Sequence, residues 1–156
     1  MNGAAKGQGQ PKVGHSTGWV VFSYEGTWLA VPQEEVRAIA ETLSFEADPR
    51  RGDRWLDPQR RWPAFRLDAR LRRQAGPRRR FAIYVESVPH PLGLLADQVQ
   101  ILAPTAAHTH PLPPIFKAVH HPAAQLLQLD QDCIATVLDP VLLFMDWDDA
   151  AKEMMP

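Results

Sequence analysis

Three groups of side chains have types and spacing that could do chemistry. His108, His110, His120 and His121 place four imidazoles within fourteen residues, and imidazole is a common ligand for zinc, copper and nickel. Residues two apart share one side of an extended strand, so His108 and His110 could chelate together. Against this, no carboxylate lies within 104–122, and Cys133 would have to come from a different segment. Structural zinc sites show tighter cysteine spacing, so the expectation is solvated loop histidines and no metal. Cys133 opens the run Cys133-Ile134-Ala135-Thr136-Val137-Leu138. There a lone thiol reads first as a small buried hydrophobe and only second as a nucleophile. Phosphate chemistry would need a glycine-rich cradle, but Gly93 stands alone between Leu92 and Leu94. No Gly-x-Ser-x-Gly elbow occurs, and Ser23, Ser44 and Ser87 have no nucleophile context. No catalytic residue and no cofactor are expected, which argues against an enzyme.

The third group is arginine. Formal net charge is −1, yet residues 50–80 hold twelve arginines against Asp53, Asp57 and Asp68, a local +9, and the remainder carries −10. Trp55, Trp62, Phe65 and Phe81 interleave with the arginines. Arginine with aromatics on a small barrel is what single-strand nucleic-acid binders use; a basic face for an acidic protein is the competing reading. No ribonucleoprotein signature supports the first. Acid gathers at the other end, where Asp130, Asp132, Asp139, Asp146, Asp148, Asp149 and Glu153 oppose Lys152 alone. Asp146, Asp148 and Asp149 would sit at a helix C-terminus, where negative charge is unfavourable, so a positive surface, inside the protein or on a partner, is expected to face them.

The elements that must position these groups are short. Fifteen prolines in 156 residues, about twice the usual share, interrupt helix interiors and central strands. Residues 1–17 read as a flexible polar tail without a signal-type apolar run, and no stretch of 18 apolar residues occurs; a cytoplasmic protein is the expectation. Trp19–Tyr24 and 27–31 flank Glu25-Gly26 as a hairpin. After Pro32, the spacing of Val36, Ile39, Ala40 and Leu43 allows either one helix over 32–44 or a turn followed by a strand. Residues 46–61 are the least structured stretch. Further strands are expected at 62–67, 80–86, 92–96, 98–102, 124–129 and 133–138, with a short turn or helix at 69–75 and a Pro/His loop over 104–122. Asp139-Pro140 is a helix start, Asp as N-cap and Pro in the first turn. These strands form two clusters, 19–67 and 80–138, read as two small β-subdomains.

The order of segments resembles the CheW-like domain of bacterial chemosensory systems, over about residues 18–150. Leu92-Gly93-Leu94-Leu95-Ala96-Asp97-Gln98-Val99 is similar to the family's Gly-Leu-Leu-Val-Asp-x-Val. Trp19 to Val31 with Val36-Arg37-Ala38-Ile39 resembles its opening hairpin and Val-x-Glu-Ile segment. Pro63-Ala64-Phe65-Arg66-Leu67 resembles Pro-Val-x-Asp-Leu. Leu112-Pro113-Pro114, Ile134 to Leu138, Asp139 and Leu142-Leu143 resemble its closing pattern. The resemblance implies a mainly β fold of two SH3-like five-stranded barrels packed together, with a short C-terminal helix, and selects turn-then-strand over 36–43. Two family positions are missing: Ala38 stands where Glu is common, and Pro58-Gln59 stand where Arg-Gly would be. That suggests a divergent member, such as one of a type IV pilus or other alternative system.

The function so implied is a non-enzymatic adaptor that couples a CheA-type histidine kinase to a chemoreceptor tip or another signalling protein. Contact residues would be Val36, Ala38, Ile39, Pro63 and Phe65, with Arg60, Arg61 and Arg66 steering an acidic partner. The segregated charge adds self-association as an expectation. A nucleic-acid-binding barrel using residues 50–80 ranks second.

Overall fold

The structure is a computed structural model that describes residues 18–59, 62–112, 122–145 and 147. Strands dominate it. They are β1 (Trp19–Tyr24), β2 (Thr27–Pro32), β3 (Val36–Glu41), β4 (Glu46–Ala47), β5 (Arg54–Leu56) and β6 (Pro63–Phe65). The series continues with β7 (Phe81–Val85), β8 (Leu92–Ala96), β9 (Gln98–Leu102), β10 (His108–Pro111), β11 (Ala123–Gln128) and β12 (Ile134–Leu138), before α1 (Pro140–Met145). Among the described residues, no helix is long and apolar enough to cross a membrane.

The strands form two six-stranded sheets, ordered β10-β11-β12-β2-β1-β9 and β3-β7-β8-β6-β5-β4. In each, two antiparallel three-strand groups meet at one parallel pair, β12 with β2 and β6 with β8. Chain connectivity makes each sheet curl. In the second, β3 and β4 are opposite ends, yet only residues 42–45 join them. The ends of a flat six-stranded sheet would stand about 24 Å apart, and the chain from Glu41 to Glu46 reaches at most about 18 Å. The first sheet likewise has consecutive strands, β9 and β10, at its two ends. The result is the expected pair of small barrels, each with one very short or fully exposed edge strand, β4 or β10, beyond the expected five.

The two expected sequence clusters, 19–67 and 80–138, are not the two sheets. β1 and β2 belong with β9–β12, and β3–β6 with β7 and β8. The reason is pairing: β1 takes β9 as its second neighbour, and β7 takes β3. The chain therefore crosses between barrels more than once.

Strand periodicity divides the apolar side chains among three cores. On β1, Val20, Phe22 and Tyr24 face a core shared by both barrels, while Trp19 and Val21 face the interior of the first. On β7, Ile83 and Val85 face the shared core, and Ala82 and Tyr84 the interior of the second. Burial on both faces explains why these strands are continuous apolar runs rather than alternating ones. Helix α1 closes the shared core with Leu143 and Phe144, followed by Trp147. Its start is as expected: the Asp139 carboxylate accepts the Val141 N–H at 3.0 Å.

Two glycine signals hold. Glu25 and Gly26 both have positive φ, 50° and 81°, the two-residue turn that matches strand twist in a hairpin. Gly93 sits opposite Ala64 at the parallel junction; a Cβ there would lie 2.8 Å from Tyr84 Cε1 and 2.9 Å from Ala64 Cβ.

Other expectations are corrected. The helical spacing over 36–43 yields to a 3-10 turn at Gln33–Glu35 and then β3, as the family resemblance implied. Val36, Ala38 and Ala40 turn inward while Arg37, Ile39 and Glu41 turn outward. The stretch 46–61 contains β4 and β5, whose pairing rather than composition makes them strands. The Pro/His loop contains β10, paired with β11. Cys133 is half-buried rather than core and precedes β12. Burial, then the nearby Asp130 charge, pushes its thiol pKa up, the opposite of what a nucleophile needs. The tail 1–17, and the acidic residues Asp146, Asp148, Asp149 and Glu153, lie outside the described residues.

Candidate functional site

The arginines of segment 50–80 fall into two sets. The first is internal. Arg54, on β5, is 1% exposed, and its Nε donates to Asp48 Oδ2 at 2.5 Å. Burial alone would raise the Asp48 pKa, but the Arg50 N–H and the Arg54 guanidinium outweigh it and hold it low. Arg79 is 3% exposed. Its Nη2 donates to Leu67 O at 3.0 Å and to Glu25 Oε2 at 3.1 Å, and its guanidinium lies 4.0 Å from the Tyr24 ring centroid. Arg66 donates to the same Glu25 oxygen at 3.0 Å. One turn carboxylate thus ties the first barrel's hairpin to two arginines of the second, and the Arg79 hydrogen bond and charge hold Glu25 below the usual carboxylate range.

The second set is displayed. Asp68 builds the loop after β6: its carboxylate accepts the N–H groups of Arg70 at 2.8 Å and Arg72 at 2.9 Å. Burial works against the Asp68 charge, but those two hydrogen bonds and the Arg72 cation lower its pKa overall. The loop holds Leu71 at φ 64°, a left-handed conformation that costs a non-glycine residue about 1–3 kcal/mol. The strain turns Leu71 into the shared core and leaves Arg70 and Arg72 exposed on either side. Tyr24 secures this loop by donating to Asp68 O at 2.8 Å; its own pKa is raised, chiefly by burial.

These arginines border two adjoining clefts. One, of about 540 Å³, lies between residues 50–54 and Arg73 and Ala75 and is walled by Arg50, Arg51, Arg54 and Arg73. The other, of about 530 Å³, shares Arg51, Asp53 and Arg73, adds Arg70 and Arg72, and runs onto Leu71, Leu142 and Trp147. Together they form one groove from the β4–β5 turn to α1.

The aromatics expected beside the arginines offer no open stacking platform. Phe65 is buried and packs on Trp147 at 4.8 Å, and Trp62 is half-buried with its ring against Tyr84 at 5.4 Å. Arg80 covers Phe81 at 5.0 Å, and Trp55 is half-buried, donating to Gly76 O at 3.4 Å.

The expected contact residues do not form one patch. Ile39 faces outward on β3, 36% exposed, and Leu43 just beyond is 79% exposed. β3 is an end strand of its sheet, paired only with β7. Val36 and Ala38 are half-buried against the cores. Pro63 and Phe65 are buried in β6, so both are corrected from contact residues to core: β6 lies between β5 and β8, where both faces are covered. Arg66 is tied to Glu25 and Pro77 O. Arg60 and Arg61 lie outside the described residues, as do His120 and His121. His108 and His110 are exposed on β10, and His110 Nε2 lies 3.1 Å from Gln128 Oε1. The groove arginines were missed individually; the signal was Leu71, a lone apolar residue bracketed by arginines just after an Asp.

No family model matches the sequence, and no curated protein matches it. Among solved structures, the chain is similar to the scaffolding protein TtCheW from Thermoanaerobacter tengcongensis. The TM-score is 0.60 and the identity 16%, over 83% of this chain and 93% of that one. The fold is the CheW fold. The CheW architecture accounts for the paired barrels and their shared core. The exposed β3 edge and the arginine groove are features of this chain's own residues.

Proposed function

We propose that the chain is a non-enzymatic adaptor of a bacterial chemosensory system, bridging a CheA-type histidine kinase and a chemoreceptor or another signalling protein in the cytoplasm. The observation that carries this reading is the CheW fold along most of the chain, in a likeness to a protein described as a scaffold. A fold alone does not specify function, so the surface must fit the task. An adaptor needs open sheet edges and apolar contact points rather than a nucleophile. The end strand β3, with Ile39 and Leu43 outward, supplies such an edge. Ala38 lies on the same strand, half-buried, where the family commonly carries Glu. That substitution favours an alternative system over a main coupling protein.

The test is binding to the isolated CheW-like regulatory domain of a CheA-type kinase from the same genome, by biolayer interferometry, alongside a soluble receptor-tip fragment. Saturable binding is expected, with Ile39→Asp weakening it about tenfold, some 1.4 kcal/mol. No binding of either fragment at high micromolar concentration overturns the proposal.

A further inference from the structure

We infer that the arginine groove is a docking site for an acidic peptide segment of a partner protein, one that also carries an apolar side chain. Six arginines border it, Arg50, Arg51, Arg54, Arg70, Arg72 and Arg73, and Asp53 is the carboxylate among the lining residues. Asp53 is engaged by Arg51 at 3.1 Å and Arg73 at 3.9 Å, Arg54 is paired with Asp48, and Arg72 lies 3.3 Å from Asp68, so six arginines meet three carboxylates and the groove keeps a positive excess of three. Arg50 and Arg70 are exposed and Arg72 is two-thirds exposed at its side chain. Arg54 adds a second, independent sign. It is almost wholly buried, it lines the groove, and its Nη1 has no acceptor among the described residues. A guanidinium fork matches a carboxylate in a bidentate geometry.

The apolar end of the groove chooses among anionic occupants. Leu142 is half-buried beside Arg70 and Arg72, while Leu71, Leu143 and Trp147 at the same end are buried beneath it. An acidic peptide with a leucine-like side chain reaches both the arginines and Leu142, whereas a free anion leaves Leu142 untouched. A nucleic-acid strand would need exposed aromatic faces, but Trp147 is buried and flanked by Phe65, Phe144 and the Arg73 guanidinium. The strained Leu71 fits the same picture, because strain tends to persist where it positions a working surface. The adaptor reading supplies only the kind of protein that would carry such a segment. Binding itself is measurable without it.

The probe is a fluorescein-labelled ten-residue peptide of alternating glutamate and leucine, titrated with the full chain and followed by anisotropy. Controls are a glutamine–leucine peptide, a glutamate-only peptide, a single-stranded ten-nucleotide DNA and inorganic phosphate as competitor. Saturable binding that weakens at least tenfold between 50 and 300 mM salt is expected on screening grounds, at about those concentrations. Arg50→Gln and Arg70→Gln together should reduce affinity several-fold while leaving the urea midpoint unchanged. Leu142→Ala should weaken the glutamate–leucine peptide several-fold and the glutamate-only peptide hardly at all. Absence of binding, equal binding of the glutamine–leucine peptide, tighter binding of the DNA, or displacement by phosphate at the peptide's own concentration would each overturn the proposal. Ile39→Asp serves as the separating control: it should leave peptide binding unchanged. If the unaltered chain binds the peptide but neither the kinase domain nor the receptor tip, that result counts against the adaptor reading alone.

Discussion

Arg54 and Arg79 on one hand, Arg50, Arg70 and Arg72 on the other, come from the same thirty-residue segment and have opposite fates. The first pair is buried against Asp48, Glu25, Tyr24 and main-chain carbonyls. The second set stands at a groove mouth, displayed by a loop that Asp68 shapes. A charge run that looks like one feature in the sequence is two in space. Part of it fastens the barrels, and part of it stands exposed, Arg72 there in a surface ion pair with Asp68. The difference lies in neighbours, not residue type: a buried cation must be paired and hydrogen-bonded, while an exposed one costs little to leave in water.

That contrast can be broken or sharpened by substitution. The largest effect is expected for Arg54→Ala, which leaves Asp48 buried without its partner and should cost about 3–5 kcal/mol in urea unfolding. A loss below about 1 kcal/mol, the range of exposed pairs, would erase the distinction. Arg79→Ala should follow at about 2–3 kcal/mol, since it leaves the Leu67 carbonyl short of a donor and uncovers the Tyr24 ring. Gly93→Ala tests the junction that sets the second barrel's register and should cost about 1–3 kcal/mol through overpacking against Tyr84 and Ala64. Arg70→Ala and Arg72→Ala should each change stability by less than about 0.5 kcal/mol; a larger loss would place them with the fasteners.

Acid sharpens the same contrast. Asp48, Asp68 and Glu25 all have folded pKa values below their ordinary ones. A depressed carboxylate contributes stability above its unfolded pKa, about 4 for these groups, and the contribution is lost as pH falls through the folded value. The contribution of these three carboxylates should therefore hold from pH 7 to about pH 4 and fall below it, while Glu35, whose pKa is raised chiefly by burial, works in the opposite direction. Asp48→Asn should be less stable at pH 7 and show a flatter profile below pH 4 in the same titration.

The sequence made β1, β2, β7, β8 and β9 legible because each is a β-branched, aromatic or alternating run with a turn signal beside it. It hid β10, which is His-Thr-His-Pro and has no apolar residue to announce it; pairing with β11 alone makes it a strand. β4 and β5 were hidden because they are only two and three residues long and are strands through their pairing, and with them the burial of Arg54 was hidden. Ile39 shows the limit of periodicity. Its spacing with Val36, Ala40 and Leu43 fits a helix face, but β3 turns it outward, because Ala38 and Ala40 fill the barrel interior instead. The groove was beyond reach for a further reason. It joins residues 50–54 and 70–73 with Leu142, Leu143 and Trp147, and no local pattern encodes that meeting.

The account rests on bridging, and reconstitution measures it most directly. A CheA-type kinase and receptor-bearing membranes from the same genome are assayed for kinase autophosphorylation with increasing amounts of this protein. The account predicts that receptor control of the kinase appears only when the protein is present, passes through an optimum with its concentration, and shifts to higher concentration with Ile39→Asp. Kinase activity that ignores the protein at every concentration, while the protein is folded and both partners are active, would contradict it.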